Sequence, residues 1–245
     1  MDYAKLRKDC VRWIKEWFEE NGNGCCAVLG MSGGKDSTVA AALCAEALGK
    51  DKVVGVAMPA EGQSLNGADE ICEYLGIRYI CTPIKDIIDG FECVRNSIEE
   101  PLTAQTEQNI PPRVRMTVLY AISQTLNGRV VNTCNLSEDW VGYATRWGDG
   151  AGDFSPLGKL TVQEIRGIGH DMGIPAKWVD KIPDDGLPHS CSDEQKFGFT
   201  YQVLDRYIRT GICEDAAVKA KIDAMHRRNL FKLRMPDAFE PGLSD

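Results

Sequence analysis

Apolar runs of strand length recur along the chain, each tied to a helical pattern. CCAVLGM (25–31) leads through a glycine-rich turn into DSTVAAALCAEALG (36–49), an alanine-rich helical stretch. KVVGVAMP (52–59) precedes a helix around 66–75, and RYICTPI (78–84) precedes another. RVVNTCN (129–135) follows the helical stretch RVRMTVLYAISQTL (113–126). These runs are continuously apolar rather than alternating, as strands buried on both faces must be. They predict an α/β fold with a parallel twisted sheet and helices on both faces. At the start of the chain Leu6, Cys10, Trp13, Ile14 and Trp17 fall at three- and four-residue spacings, the pattern of an amphipathic helix packed on a core or a partner.

Two polar stretches punctuated by Pro or Gly read as loops, EEPLTAQTEQNIPP (99–112) and IPDDGLPHSCSDEQ (182–195). Each is long enough for a lid and equally suits a plain surface connection. The last third reads as helical and closes with HRRNLFKLRMP (226–236), a basic cluster. No internal repeat or low-complexity linker divides the chain. Residues 1–245 are therefore expected to form one domain, its tail from about 214 to 245 helical and packed on the core or a partner.

Composition narrows the classes of function. With 245 residues, 43% hydrophobic and 26% charged, the chain has material for a real core and is neither disordered nor membrane-spanning. Its 28 Lys and Arg against 36 Asp and Glu leave a formal charge of −8, which argues against general nucleic-acid binding. A polyanionic ligand would have to meet a local basic pocket. The ten cysteines include no C-x-x-C pair, and the first twenty residues carry no apolar core of a secretory signal. Reduced thiols in a cytoplasmic protein are the expectation, with no membrane contact, and the sequon at Asn135 then carries no sugar.

The chemistry concentrates in GMSGGKDST (30–38). A strand, a glycine turn and a helix start bring backbone N–H groups and a positive helix end to an anion. The spacing is not that of the common P-loop, because three residues separate Gly30 from Gly34 and Asp36 follows Lys35. An aspartate makes sense there as a ligand to Mg2+, which takes a carboxylate together with phosphate oxygens. The plainer alternative is a turn with a capping Asp. GNGCCA (22–27) also fits a dinucleotide fingerprint but precedes its strand, so its geometry is wrong.

Ser-Gly-Gly-Lys-Asp-Ser (32–37) resembles the signature of the ATP pyrophosphatases, and three further stretches resemble the NAD synthetases among them. These are NIPPRVRMTVLY (109–120), TCNLSE (133–138) with GYATRWGDGAGDFSPLG (142–158), and IPDDGL (182–187) with SDEQKFGFTYQVLD (192–205). In family order they run from about residue 5 to residue 236. The resemblance implies an adenine nucleotide alpha-hydrolase-like, Rossmann-like fold. It also implies a carbon–nitrogen ligase that amidates deamido-NAD with ammonia through an adenylylated carboxylate, with Mg2+ as cofactor and ATP as co-substrate, in a homodimer. No residues are left over for a glutaminase domain, so free ammonia is the expected nitrogen donor.

Carried over position by position, the resemblance assigns Gly30, Met31, Ser32, Gly33, Gly34, Lys35, Asp36, Ser37 and Thr133 to ATP. Asp36 and Glu138 would hold the metal, with Lys35 and Asp153 counted as catalytic. Arg113, Arg146, Asp153 and Lys232 would meet deamido-NAD, and Asp153 would also help to bind ammonia. Four positions depart from the family. Its ATP-binding Lys falls on Val162, its lid Ser or Thr on Asp184 and its C-terminal His on Phe231, while Arg146 stands where Lys is usual. His170, His189 and His226 match no catalytic position. Two other readings stay open, a tRNA-thiolating ATP pyrophosphatase and a nucleotide-binding protein that has lost catalysis.

Overall fold

The computed structural model describes residues 1–181 and 192–241. Four strands form one parallel sheet, β1 (Cys26–Gly30), β2 (Val53–Ala57), β3 (Arg78–Cys81) and β4 (Gly128–Val130), in the spatial order β3-β2-β1-β4. The central runs behave as expected, with all five residues of β2 and the middle three of β1 buried, whereas the edge strand β3 is exposed at Arg78 and Cys81. Strand alternation sorts the two faces. Ala27 and Leu29 enter one apolar cluster, and Val28, Val54 and Val56 enter another on the opposite side.

The first face is covered by α1 (Tyr3–Asn21), α2 (Lys35–Leu48) and α3 (Ala68–Leu75). Helix α2 buries Val39 through Cys44 without a break, because it lies between the sheet and other helices. After the short α4 (Lys85–Asp89) and α5 (Glu92–Ile98), the 22-residue α6 (Ala104–Thr125) covers the second face through Ile110, Val114 and Leu119. Beyond β4 come α7 (Leu136–Val141), α8 (Val162–Asp171) and α9 (Ala176–Val179). Then α10 (Asp193–Phe197), α11 (Tyr201–Thr210) and α12 (Ala216–Asn229) follow, with a 3-10 turn at Leu230–Leu233. A third apolar cluster joins Val141 and Val162 to Phe197, Tyr201, Leu204 and Ile222.

Three expectations change. Residues 104–112, read as loop, are the start of α6, capped by the Thr103 side chain accepting from the Thr106 N–H. The Pro111–Pro112 pair lies inside this helix instead of breaking it. The prolines cost the carbonyls of Glu107 and Gln108 their helical donors, and the apolar contacts of Ile110 and Val114 with the sheet offset that loss. Helix α1 forms, and Leu6, Cys10, Ile14 and Trp17 pack on the core as expected, joined by the buried Val11 and Phe18, while Trp13 stays 41% exposed. The tail is helical as far as Leu233, and residues 235–241 have no regular secondary structure, so the expected helix ends early. Of the second expected loop, residues 182–191 lie outside the described residues.

Sheet order places the site. The chain moves outward from β1 to β3 and then returns to the other side of β1 for β4. The strand carboxyl ends diverge at that switch, where ligands of open α/β sheets settle. Gly55, in the middle of β2, lets the Met31 and Cys72 side chains pack directly against the strand. A Cβ there would lie 2.7 Å from both the Met31 side chain and the Cys72 sulfur. Gly55→Ala is therefore expected to destabilise the fold by about 1–3 kcal/mol through overpacking, read as a lowered thermal midpoint. An unchanged midpoint would mean that Met31 and Cys72 yield freely.

Candidate functional site

The loop after β1 is shaped by its glycines. Met31 N–H still bonds the Val56 carbonyl at 2.8 Å, and then the chain turns. Gly33 has φ +75°, and a Cβ there would sit 2.3 Å from the Asn66 carbonyl oxygen, so only glycine fits. Gly34 is the N-cap of α2 with no side-chain cap. Its carbonyl accepts from the Thr38 hydroxyl at 2.7 Å, and the Ser32 and Ser37 hydroxyls lie 3.2 Å apart. The first N–H groups of a 14-residue helix are thereby presented to a ligand.

A cleft of about 1330 Å³ opens at the carboxyl ends of β1, β2 and β4. Its wall includes Gly30, Met31, Ser32, Gly34, Lys35, Asp36, Ser37 and Thr133, so every expected ATP residue except Gly33 lines it. The chain is acidic overall, yet Lys35, Arg115, Lys181, Lys196, Arg228 and Lys232 all reach this wall. Asp36, Glu107, Glu138, Asp149 and Asp193 line it as well, so the basic groups there exceed the acidic ones by one.

Charge is tightest around Lys35, only 2% exposed. Its Nζ donates to Asp36 Oδ2 at 2.8 Å and lies 5.8 Å from the centre of the Tyr201 ring. Burial alone would lower the Lys35 pKa, but the carboxylates of Asp36 and Glu138 outweigh it and raise the value. Burial pushes the Glu138 carboxyl up to about 8, with repulsion from Asp36 adding to it and Lys35 opposing. Asn135 ties these groups together. Its side-chain oxygen caps α7 by accepting from Glu138 N–H at 3.0 Å, and its amide donates to Asp36 Oδ1 at 3.2 Å. On the far side, Tyr201 OH donates to Asp193 Oδ2 at 3.2 Å.

Among the described residues no group of three or more His, Cys, Asp and Glu side chains forms a metal cage. Two hard carboxylates beside a phosphate-type loop do fit Mg2+, which keeps waters and takes phosphate oxygens rather than filling its shell from protein.

The residues expected to meet deamido-NAD separate into two groups. Lys232 lines the cleft, its Nζ donating to the carbonyls of Gly142 at 2.9 Å and Ala144 at 3.2 Å. Arg113, Arg146 and Asp153 do not line it. Arg113 Nε reaches the Arg146 carbonyl at 3.4 Å. Asp153 accepts from Val130 N–H at 2.7 Å and from Tyr120 OH at 3.2 Å, which fixes it beside β4 and α6. Val162 is buried in the third apolar cluster and is no ligand, and Lys159 is exposed. Asp184 and His189 lie outside the described residues. His170 pairs with Asp180, and His226 stacks on Trp140, so both are engaged away from the site chemistry.

Sequence reading missed four contributors. Arg115 rather than Arg113 faces the cleft, bonded to the Met58 carbonyl at 2.9 Å and Gln63 Oε1 at 2.5 Å. Asn132 is 7% exposed and holds the carbonyls of Asp149 and Ala151, setting the course of the loop after α7. Asn135 had a visible signal, an Asn three residues before Glu138 at a helix start. The Asp193–Tyr201 pair had none, because its value lies in contact with Lys35 far away in sequence.

The profile of the family described as NAD synthase matches residues 6–236. An NH(3)-dependent NAD(+) synthetase of Thermococcus sibiricus is 38% identical over 209 residues, covering 85% of this chain and 81% of that protein. Among solved structures, an NMN synthetase from Francisella tularensis superposes with a TM-score of 0.88 at 28% identity, covering 99% of this chain and 100% of the other. An NH3-dependent NAD synthetase from Campylobacter jejuni superposes at 0.78, also 28% identical, covering 98% of this chain and 100% of the other.

Glu138 gives the site a pH signature. Its carboxyl titrates near 8 when folded against an ordinary value of 4.5, so between those limits the folded state holds a proton that the unfolded state has released. Its contribution to stability is full below the unfolded value and is lost as pH rises through about 8. In Mg2+-free buffer the thermal midpoint should fall across this window, and Glu138→Gln should flatten the decline. Parallel curves for the two proteins would contradict the assignment.

Proposed function

This chain belongs to the NAD synthase family, and we infer that it couples ATP cleavage to the amidation of deamido-NAD with ammonia. The observation that carries this reading is the Ser32–Ser37 loop at the sheet's switch point, with Lys35, Asp36 and Glu138 gathered on one wall of the cleft.

The chemistry requires activation. A carboxylate and ammonia in water merely exchange a proton, because oxide is not a usable leaving group. In the proposed first step a nicotinate oxygen bonds to the α-phosphorus of ATP and pyrophosphate leaves. In the second, the ammonia nitrogen bonds to the carbonyl carbon, AMP departs with the former carboxylate oxygen, and the nitrogen gives up a proton. The loop N–H groups, with the Ser32 and Ser37 hydroxyls, would hold the pyrophosphate portion. Mg2+ at Asp36 and Glu138 would neutralise phosphate charge when bound. Lys35 would keep Asp36 in place and add fixed positive charge where negative charge builds. Thr133 would contact the nucleotide from β4, and Arg115 and Lys232 would meet acidic groups of the acceptor.

Arg113 and Asp153 stand outside the cleft wall, and we propose that a second copy completes the acceptor site there in a homodimer. In that arrangement Asp153 would face the cationic ring and the incoming ammonia, held rigid by Val130 and Tyr120. The nine free cysteines among the described residues, Cys44, Cys72 and Cys134 buried with them, suit a reducing cytoplasm. No described helix is long and apolar enough to cross a membrane.

A second reading keeps the chemistry and shortens the acceptor to nicotinate mononucleotide. The higher TM-score with the NMN synthetase than with the NAD synthetase favours it. Purified protein supplied with ATP, Mg2+, ammonium and each acceptor in turn decides between them. Faster turnover of deamido-NAD, per unit of kcat/KM, supports the first reading, and preference for the mononucleotide replaces it with the second. Neither product, with no AMP, removes both.

Two further outcomes are expected. Asp36→Asn and Glu138→Gln should each cut AMP formation by about a hundredfold or more with the fold retained, as loss of electrostatic stabilisation at phosphate does. Normal turnover by either variant at saturating Mg2+ would remove that residue from the metal site. Ammonium should support synthesis and glutamine should not, in a preparation free of other amidases.

A further inference from the structure

Arg146 occupies a position where it can touch the tail on both sides of Lys232. Its guanidinium carbon lies 5.5 Å from the centre of the Phe231 ring and 5.0 Å from that of Trp147. One terminal nitrogen donates to the Arg234 carbonyl at 3.2 Å. Residues 231 and 234 bracket Lys232, so one planar cation engages the turn before and after the cleft-lining lysine.

The turn needs such an anchor. Leu230–Leu233 is one 3-10 turn with no buried residue, and Phe231 is 57% and Leu233 48% exposed. On its N-terminal side Asn229 is fixed, 8% exposed and bonded to the carbonyls of Val141 and Met225. Residues 235–241 have no regular secondary structure and are exposed. Apart from the lysine's own bonds to Gly142 and Ala144, the Arg146 contacts are what the described structure offers against fraying. Those carbonyls belong to the same loop as Arg146, so lysine and clamp share one frame.

We propose that Arg146, acting with Phe231, is a positioning residue that holds Lys232 in the acceptor part of the cleft. The two departures from the family pattern then form one device. A guanidinium is planar, so its face can lie against a ring while a terminal N–H at its edge donates to a carbonyl. An aromatic ring at 231 supplies the face. This rests on the reading of Lys232 as an acceptor-binding residue, and the test below keeps the two apart.

Arg146→Ala and Phe231→Ala should each raise the KM for the acceptor about threefold to tenfold, as loss of a cation–π contact and a charged hydrogen bond does. The kcat and the KM for ATP should stay within about twofold, and Phe231→Tyr should behave as wild type because it keeps the ring. In a Lys232→Ala background, Arg146→Ala should add nothing. An equal rise in KM in that background would overturn the proposal, since Arg146 would then meet the acceptor directly. The structural half is read without any substrate, as tryptic cleavage after Arg234, which Arg146→Ala should accelerate. Unchanged cleavage would overturn the clamp even if the acceptor is as inferred. Accelerated cleavage alongside no acceptor turnover by wild type would sustain the clamp and reject the functional reading instead.

Discussion

A lysine that is almost wholly buried must be paired, because an isolated ammonium cannot be carried out of water at tolerable cost. Lys35 is paired with Asp36 and compensated further by Glu138, and the arrangement of the site follows from that need. The Ser32–Gly34 turn brings Lys35 and Asp36 in at the start of α2. Helix α7, arriving from the other side of β1, brings Glu138. Asn135 joins the two through one side-chain amide. The cluster therefore ties two helices across the sheet's switch point, beside the helix end that faces phosphate. With Glu138 holding its proton below about pH 8, Lys35 and Asp36 balance each other, and a cation held there would draw that proton off.

The same economy runs through the loop from α7 to residue 158. Asn132 gathers the Asp149 and Ala151 carbonyls, and Asp149 accepts from Thr145 N–H at 2.9 Å. Lys232 closes onto Gly142 and Ala144 of that loop. Side chains, the charged Asp149 and Lys232 among them, hold this loop by its backbone groups.

Much of this was legible in the sequence. The parallel sheet announced itself because strands buried on both faces cannot alternate, and all four runs became strands. The loop at 30–38 was legible because phosphate binding forces glycine and a helix start into adjacency. What escaped depends on contacts made only after folding. A Pro-Pro pair within α6 reads locally as a break, yet burial of Ile110 and Val114 overrides it. The choice of Arg115 over Arg113 for the cleft depends on helix phase against the sheet, which spacing two residues apart cannot settle. Val162 sits where the family carries a charged ligand, and its burial among Val141, Phe197 and Tyr201 explains why an apolar residue is stable there.

If the acceptor carboxylate attacks the α-phosphorus of ATP, one of its oxygens must leave with AMP. Deamido-NAD labelled with 18O in the nicotinate carboxylate, turned over with ATP and ammonium, should yield AMP carrying one 18O for each amide formed, with unlabelled pyrophosphate. Label in inorganic phosphate alongside ADP would contradict the account, because activation would then have occurred at the γ-phosphorus and the loop after β1 would hold a different leaving group.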